Sequence, residues 1–209
     1  MSCCEDYFSF YDRIYGLINV RDKDVIDVGA FIGDTAIYFV NKGARRVVAV
    51  EPHPRAFEEL LRNMINLGLS SRVIPINAAL ASTSGFIDVP LDLDLGAIMA
   101  MYFGPMMRST YSNSNVKIRL ITLKELINET NVDTDVLKMN CEGCEYDVIL
   151  NDYDHLRLFR EVVFEYHRWM TGISVSELLK ILGRDYNCNF IGIPYEDYGY
   201  VHCVRKDIV

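Results

Sequence analysis

The feature that most constrains this chain is a short apolar run that stops at a glycine and leads directly into a helical pattern. Residues 25–28 are mostly β-branched and end at Gly29, which is typical of a strand buried on both faces of a parallel sheet. Apolar residues then recur at helical spacing over 33–40. The same strand and helix unit is repeated at 46–51 and 54–67, and a third strand is predicted at 73–77. This alternation predicts parallel βαβ units with helices on both sheet faces, which is a doubly wound α/β fold.

The second half of the chain continues this pattern less regularly. Strands are predicted at 116–121, 135–140 and 161–167, helices at 122–130 and about 174–183, and a closing antiparallel hairpin from 189–195 and 200–206. No linker or internal repeat divides the sequence, so 1–209 is predicted to be one domain. Residues 91–115 have no clear period, and both a lid over the acceptor and a packed meander are hypotheses for them. Residues 1–20 form a predicted N-terminal arm or helix, whose aromatic spacing favours packing against the domain, and a cap over the donor site is left open.

Composition and charge limit the classes of partner. Acidic residues outnumber basic ones by 29 to 21, for a net charge of −8, and this balance disfavours nucleic acid because phosphate binding relies on Lys and Arg. The N-terminus does not resemble a signal peptide and no segment has the length of a membrane span, so a cytoplasmic protein without a membrane partner is expected. The six cysteines are scattered, and free thiols are expected. A homo-oligomer is left open.

The turn that follows the first strand has the spacing of a nucleoside-binding site. Gly29 permits a tight turn and close approach of a ligand, Gly33 lets the next helix start against the sheet, and Glu51 is placed to accept hydrogen bonds from ribose hydroxyls. A dinucleotide site requires a further glycine where this chain has Ala30 and Phe31, so adenosine attached to an amino acid fits better than a pyrophosphate. The predicted donor contacts are Asp27, Gly29, Ala30, Phe31, Gly33, Asp34, Thr35, Glu51, Pro52, Asn77, Ala78 and Ala79.

A second group of polar residues lies at 137–145, where the fourth core strand is predicted to end. The sequence Leu-Lys-Met-Asn-Cys-Glu-Gly-Cys-Glu resembles the Lys-Ile-Asp-Val-Glu-Gly-x-Glu signature of FkbM-type methyltransferases. The segments 27–33, 51–52, 77–79 and 164–167 occur in the order that this family uses. The resemblance implies a seven-stranded, Rossmann-like class I methyltransferase fold with S-adenosylmethionine as donor. It also implies, commonly, O-methylation of a small metabolite or sugar, without fixing the acceptor.

Three residues are candidates for the general base that an alcohol acceptor requires, namely Glu142, Glu165 and His167, with the two glutamates favoured. Asn140 stands where the family usually has Asp. An amide cannot act as a carboxylate base, but it can orient the acceptor or the methionine part of the donor, so Asn140 is counted with both the catalytic and the donor-binding residues.

The Cys141-x-x-Cys144 spacing raises the possibility of zinc or redox chemistry. Zinc requires four ligands and no second closely spaced pair of Cys or His occurs, so no metal is predicted. Two other functions remain as alternatives: an NAD-dependent oxidoreductase, and a nucleoside-binding module without catalysis, which Asn140 suggests. An RNA methyltransferase is a weaker third hypothesis because of the acidic charge.

Overall fold

The strands and helices predicted from sequence are present in the computed structural model, which describes residues 3–90 and 115–208. The strands are β1 (Asp24–Val28), β2 (Arg46–Val50), β3 (Val73–Ile76), β4 (Ala79–Leu80), β5 (Gly85–Pro90), β6 (Asn115–Ile121), β7 (Val136–Met139), β8 (Glu161–His167), β9 (Tyr186–Ile191) and β10 (Tyr198–Arg205). The α-helices are α1 (Cys3–Tyr15), α2 (Asp34–Asn41), α3 (Pro54–Asn66), α4 (Leu123–Thr130), α5 (Cys144–Asn151), α6 (Tyr153–Leu156), α7 (Arg168–Thr171) and α8 (Val175–Leu182). Within the described residues, none of these helices combines the length and the apolar character needed to cross a membrane.

Seven strands form the main sheet, in the order β3-β2-β1-β7-β8-β10-β9. The first five are parallel, and β10 is antiparallel to both β8 and β9. This is the predicted doubly wound, mostly parallel sheet with an antiparallel C-terminal hairpin. The direction of strand order reverses between β1 and β7, and ligands of open α/β sheets bind at the carboxyl ends of strands at such a reversal.

Side chains alternate along the central strands and bury both faces of the sheet. Val25 and Val47 lie in a core formed with α1, α2 and α3. Ile26 and Val48 lie in the opposite core, formed with α4, α5 and α8. All five residues of β1 are buried, as the apolar run in the sequence predicts for a central parallel strand.

A second sheet of three strands, in the order β4-β6-β5, was not predicted. It packs against the same core as α4, through residues such as Leu80, Val89 and Ile118. Strand β4 contains only two residues and gives no alternating pattern in the sequence, which is why the sheet was missed. Most of the 91–115 segment, for which a lid and a packed meander were both hypotheses, lies outside the described residues.

The C-terminal hairpin is present, but its turn occurs earlier than predicted. The strand predicted at 189–195 is β9, which ends at Ile191 because the chain turns at Gly192 with a φ of 73°. The register of β9 and β10 places Cys188 opposite Cys203, and the two residues form a disulfide. The expectation of free thiols is therefore wrong for this pair, whose proximity depends on a strand register that the sequence spacing does not reveal.

Candidate active site

A cavity of about 360 Å³ opens at the carboxyl ends of β1, β2 and β7. Its walls come from the turn after β1, the tip of β2, the segments after β3 and β7, and one side of α1. The predicted site residues that line it are Gly29, Phe31, Asp34, Thr35, Glu51, Pro52, Ala78, Ala79, Asn140 and Glu142. The cavity thus joins the predicted donor-binding turn to the segment that contains the predicted catalytic residues.

Gly29 forms the floor of the cavity between β1 and β7. Its φ is 74°, and a Cβ atom at this position would lie 1.8 Å from the backbone oxygen of Asn140. The amide of Gly29 donates to the carbonyl of Val50, and the amide of Asn140 donates to that of Val28. Glycine is therefore required both for the left-handed turn and for the close approach of the segment after β7.

Gly33 and Ala30 support the same turn without lining the cavity. Gly33 precedes α2 with a φ of 89°, and a Cβ there would meet the methyl group of Met64 at 2.7 Å. Ala30 is fully buried in the core beneath the turn. These two predicted donor contacts thus position the turn.

Asp27 forms a buried ion pair within the fold and does not line the cavity. Its carboxylate lies 2.8 Å from the ammonium of Lys138 and accepts a hydrogen bond of 2.6 Å from the hydroxyl of Thr35. Lys138 donates in addition to the carbonyl oxygens of Val28 and Gly29. No role was predicted for Lys138 from the sequence, although a lysine within a buried strand requires a charged partner. This buried ion pair connects β7 to β1 and to the start of α2.

Glu51 presents a carboxylate at the tip of β2, where the backbone fixes its orientation. Its two oxygens accept hydrogen bonds from the amides of Phe31 (2.9 Å) and His53 (2.8 Å). Burial raises the pKa of Glu51 to about 7, because the loss of solvation outweighs these hydrogen bonds and the charge of Lys138. The predicted donor contact Asn77 does not line the cavity; its amide donates to the carbonyl of Glu51 and holds this turn.

The three predicted base candidates converge behind and within the cavity. His167 Nδ1 lies 3.0 Å from Glu145 Oε1, and its Nε2 lies 3.7 Å from Glu142 Oε1 and 3.8 Å from Glu165 Oε1. Glu142 lines the cavity, whereas Glu165 does not line it and interacts with Tyr200, which does. The structure therefore brings the candidates together, and of the three it is Glu142 that lines the cavity.

The protonation of this cluster follows from burial and from its own charges. Burial raises the pKa of Glu142 and of Glu165 above the ordinary range of a glutamate. Burial alone would lower the pKa of His167, but the hydrogen bond and charge of the fully buried Glu145 outweigh it, and the pKa of His167 is raised. His167 thus lies between Glu145 on one side of its ring and the carboxyl groups of Glu142 and Glu165 on the other. The raised pKa values favour the protonated forms of His167, Glu142 and Glu165.

Aromatic residues of α1 form one side of the cavity. Phe10, Tyr11 and Tyr15 line it, and the Tyr11 hydroxyl donates to Asp34 at the start of α2. The other residues of the helix that face inward, including Ile14, belong to the core beside α2. The aromatic spacing favoured packing of this helix on the domain and left open a cap over the donor site, and Tyr11 and Tyr15 both pack in the core and line the cavity.

Cys141 and Cys144 form a second disulfide, at the point where the segment after β7 enters α5. The expectation of free thiols is wrong for this pair as well. Together with Glu145, these cysteines form a group with metal-ligand spacing among the described residues, but sulfurs joined to each other are not thiolate ligands. Cys141 lines the cavity beside Asn140.

Known proteins resemble this chain in sequence and in fold. The family model for the methyltransferase FkbM domain matches residues 27–201. The chain is 20% identical over 169 residues to the uncharacterized protein 158B of Sulfolobus islandicus rod-shaped virus 1, covering 81% of this chain and 75% of that protein.

Solved structures of low sequence identity share the fold. An O-methyltransferase from Bacillus cereus in complex with S-adenosylhomocysteine has a TM-score of 0.51 at 11% identity, over 99% of this chain and 82% of that one. A Streptococcus pneumoniae protein assigned as a tRNA methyltransferase has a TM-score of 0.52 at 12% identity, over 98% and 70% of the two chains.

Proposed function

The chain belongs to the FkbM methyltransferase family, whose methyl donor is S-adenosylmethionine, and from this premise we propose that the cavity binds the donor and that Glu142 serves the acceptor. The observation that carries the proposal is that the Gly29 turn and Glu142 line one cavity. We further propose that the acceptor is a small molecule bearing a hydroxyl group, so that the reaction is an O-methylation of a metabolite or sugar.

The residues around the cavity fit the donor. Gly29 lines the cavity at the turn after β1, and Glu51 has lone pairs left for ribose hydroxyls after accepting two amides. The small side chains of Ala78 and Ala79 leave room for an adenine ring on the same edge of the sheet. Asn140 would orient the methionine part of the donor. S-adenosylmethionine supplies an electrophilic methyl group, and the protein supplies alignment.

On the acceptor side, Glu142 is the proposed general base. The acceptor oxygen would bond to the methyl carbon as the sulfur–methyl bond of the donor breaks, with S-adenosylhomocysteine as the leaving group. The proton of the acceptor hydroxyl would pass to a carboxylate oxygen of Glu142, and the raised pKa of Glu142 favours this transfer. Alignment of the two reactants supplies roughly 7–11 kcal/mol of the barrier, so little further chemistry is required. Glu165 is the second candidate for the base, and His167 holds both carboxyl groups in place.

The charges of the site support a small, non-phosphorylated acceptor. Glu142, Glu165 and Glu145 surround a single imidazole, and the chain as a whole carries a charge of −8. A phosphate-bearing acceptor would meet repulsion from these carboxylates, as nucleic-acid binding relies on Lys and Arg. A neutral polyol instead offers hydroxyl donors that carboxylates accept.

Calorimetry with S-adenosylmethionine and S-adenosylhomocysteine tests the donor site, with NAD as the comparison ligand. We expect micromolar binding of the first two and none of NAD. Binding of NAD alone would contradict the donor assignment.

With an acceptor found by screening hydroxylated metabolites and sugars for release of S-adenosylhomocysteine, Glu142→Gln should lower turnover at least about 100-fold.

Glu165→Gln should lower turnover to a similar or smaller extent, and the exposed Glu177→Gln on α8 is the matched control. Donor affinity should stay nearly constant in all three variants. Unchanged turnover in both Glu142→Gln and Glu165→Gln would remove the base assignment.

A further inference from the structure

The four residues from Cys141 to Cys144 form a small loop closed by a disulfide, and the backbone inside it is unusual. Glu142 has a φ of 57° and Gly143 a φ of 118°. A left-handed conformation is unfavourable for a glutamate, because its Cβ approaches the following carbonyl. Such a conformation persists only where the surrounding structure holds it, and the disulfide joins the residues on either side of this pair.

This loop continues directly into the wall of the donor cavity. Asn140 and Cys141 both line the cavity, and the backbone oxygen of Asn140 lies so near Gly29 that no side chain fits between them. A change in the backbone of the loop therefore moves the wall against which the donor turn packs. It also moves Glu142, which is the residue that the proposed reaction needs in the same cavity.

We propose that the Cys141–Cys144 disulfide is a reversible brace that positions Glu142 and the Asn140 wall for donor binding and methyl transfer. This proposal rests on the proposed function, because it takes the cavity to be the donor site. With the bond formed, Glu142 is held in its left-handed conformation and faces the cavity. With the bond broken, the loop relaxes, and both donor affinity and transfer decline.

A dithiol is the class of reductant that would open the brace. One thiolate of the dithiol attacks the sulfur of Cys141, the S–S bond breaks, and Cys144 leaves with the electron pair as a thiolate. The dithiol is now joined to Cys141 in a mixed disulfide. Its second thiolate attacks the reductant's sulfur of that mixed disulfide, which releases Cys141 as a thiolate and closes a cyclic disulfide in the reductant. Two electrons and two protons thus pass to the protein. The same exchange in reverse, with the cyclic disulfide as the oxidant, restores the bond between Cys141 and Cys144 and regenerates the dithiol.

The geometry also predicts which sulfur is attacked and what blocks the attack. Cys144 is fully buried, whereas Cys141 is 8% exposed and lines the cavity. A reductant therefore reaches Cys141 through the cavity, and a ligand in the cavity covers it. Donor binding favours the protein with the disulfide formed, and reduction favours the protein with it broken. By thermodynamic linkage, each event therefore opposes the other.

The test compares the affinity for S-adenosylhomocysteine of protein oxidised by a mild oxidant and of the same protein reduced with dithiothreitol, using calorimetry. Mass spectrometry after alkylation reports the state of each cysteine pair. We expect reduction at Cys141 and Cys144 to weaken binding about fivefold or more. The bound ligand should also slow the reduction of this pair.

Two double variants separate the brace from the hairpin disulfide. Cys141→Ser with Cys144→Ser should bind as weakly as the reduced protein and should not respond to dithiothreitol. Cys188→Ser with Cys203→Ser should keep the full response, because that pair lies away from the cavity on β9 and β10.

Several results would overturn the brace. One is an affinity within twofold in the oxidised and reduced protein, with complete reduction at Cys141 and Cys144 verified. A second is the loss of the response to dithiothreitol in the variant Cys188→Ser with Cys203→Ser. A third is the absence of a bond between Cys141 and Cys144 after oxidation. Failure of both redox forms to bind S-adenosylhomocysteine would instead reject the donor site itself, and the brace with it.

Discussion

Glu51 combines burial with two backbone hydrogen bonds, and this combination makes donor binding sensitive to pH. Its pKa is raised to about 7, so lowering the pH through this value protonates the carboxyl group of the ligand-free protein. Ribose hydroxyls donate to the ionised form, which loses an acceptor when it takes up a proton. The affinity for S-adenosylhomocysteine should therefore fall below about pH 7 and level off above it.

Calorimetry across about pH 6 to 8 checks this prediction, since binding below the pKa should release a proton that buffers of different ionisation enthalpy detect. Glu51→Gln is the control, and its weaker binding should not follow the same curve. An affinity that stays constant over this range in the unmodified protein would contradict the assignment of Glu51 to the ribose.

Gly29 and Gly68 both have positive φ, of 74° and 68°, but differ in their surroundings. A Cβ at Gly29 would collide with the backbone of Asn140, whereas one at Gly68 would meet nothing within 4 Å. Gly68→Ala should cost about 1–2 kcal/mol of stability for its left-handed backbone and leave donor affinity unchanged. Gly29→Ala should cost more and should abolish measurable binding of S-adenosylhomocysteine, as denaturant titration and calorimetry would show. Equal behaviour of the two variants would argue against the close approach.

At the level of residues, the sequence predicted those site residues whose position at the end of a strand is visible in the sequence itself. Glu51 and Glu142 follow strand ends, and strand ends of a parallel sheet meet at one edge. Lys138 was missed because its partner, Asp27, lies on another strand and was itself predicted to contact the donor. The positive φ of Glu142 was beyond prediction because it depends on the loop that the disulfide closes.

Among the elements, the β9–β10 hairpin is joined by the Cys188–Cys203 disulfide, which spans 15 residues of sequence. A closed loop of this length stabilises a fold by about 3 kcal/mol, mainly by restricting the unfolded chain. Cys188→Ser with Cys203→Ser should thus lower the melting temperature by roughly 6–12 °C for a domain of this size. Calorimetric or spectroscopic melting measures this, and a change below about 2 °C would show that the pair contributes little.

The elements that were predicted correctly are those with a local signal. Strands β1 and β2 are continuous apolar runs, and α4 begins with the capping box of Thr122 and Glu125 that the sequence contains. The second sheet has no such signal, because β4 and β6 pair across a long stretch of sequence. The early turn of the hairpin occurs at Gly192, which lies inside the strand predicted at 189–195. The Cys188–Cys203 disulfide depends on the register of that hairpin.

Over the whole molecule, the donor cavity contacts segments from α1 to β10, so the bound ligand stabilises the fold as a unit. At a concentration about 100 times its dissociation constant, a ligand of the native state adds about 2.7 kcal/mol. S-adenosylhomocysteine should therefore raise the melting temperature by roughly 5–10 °C, and NAD at the same concentration should leave it unchanged. A comparable rise with NAD would favour a general nucleotide site.

Helix α1 precedes the residues that the family model matches, yet it supplies Phe10, Tyr11 and Tyr15 to the cavity. The wall therefore combines strand ends within the matched residues with one helix outside them. We expect this division to make the cavity modular: exchange of α1 should alter what the cavity admits while Glu51, Glu142 and the turn at Gly29 keep their places. Protein engineering thus has a single segment on which to diversify this scaffold.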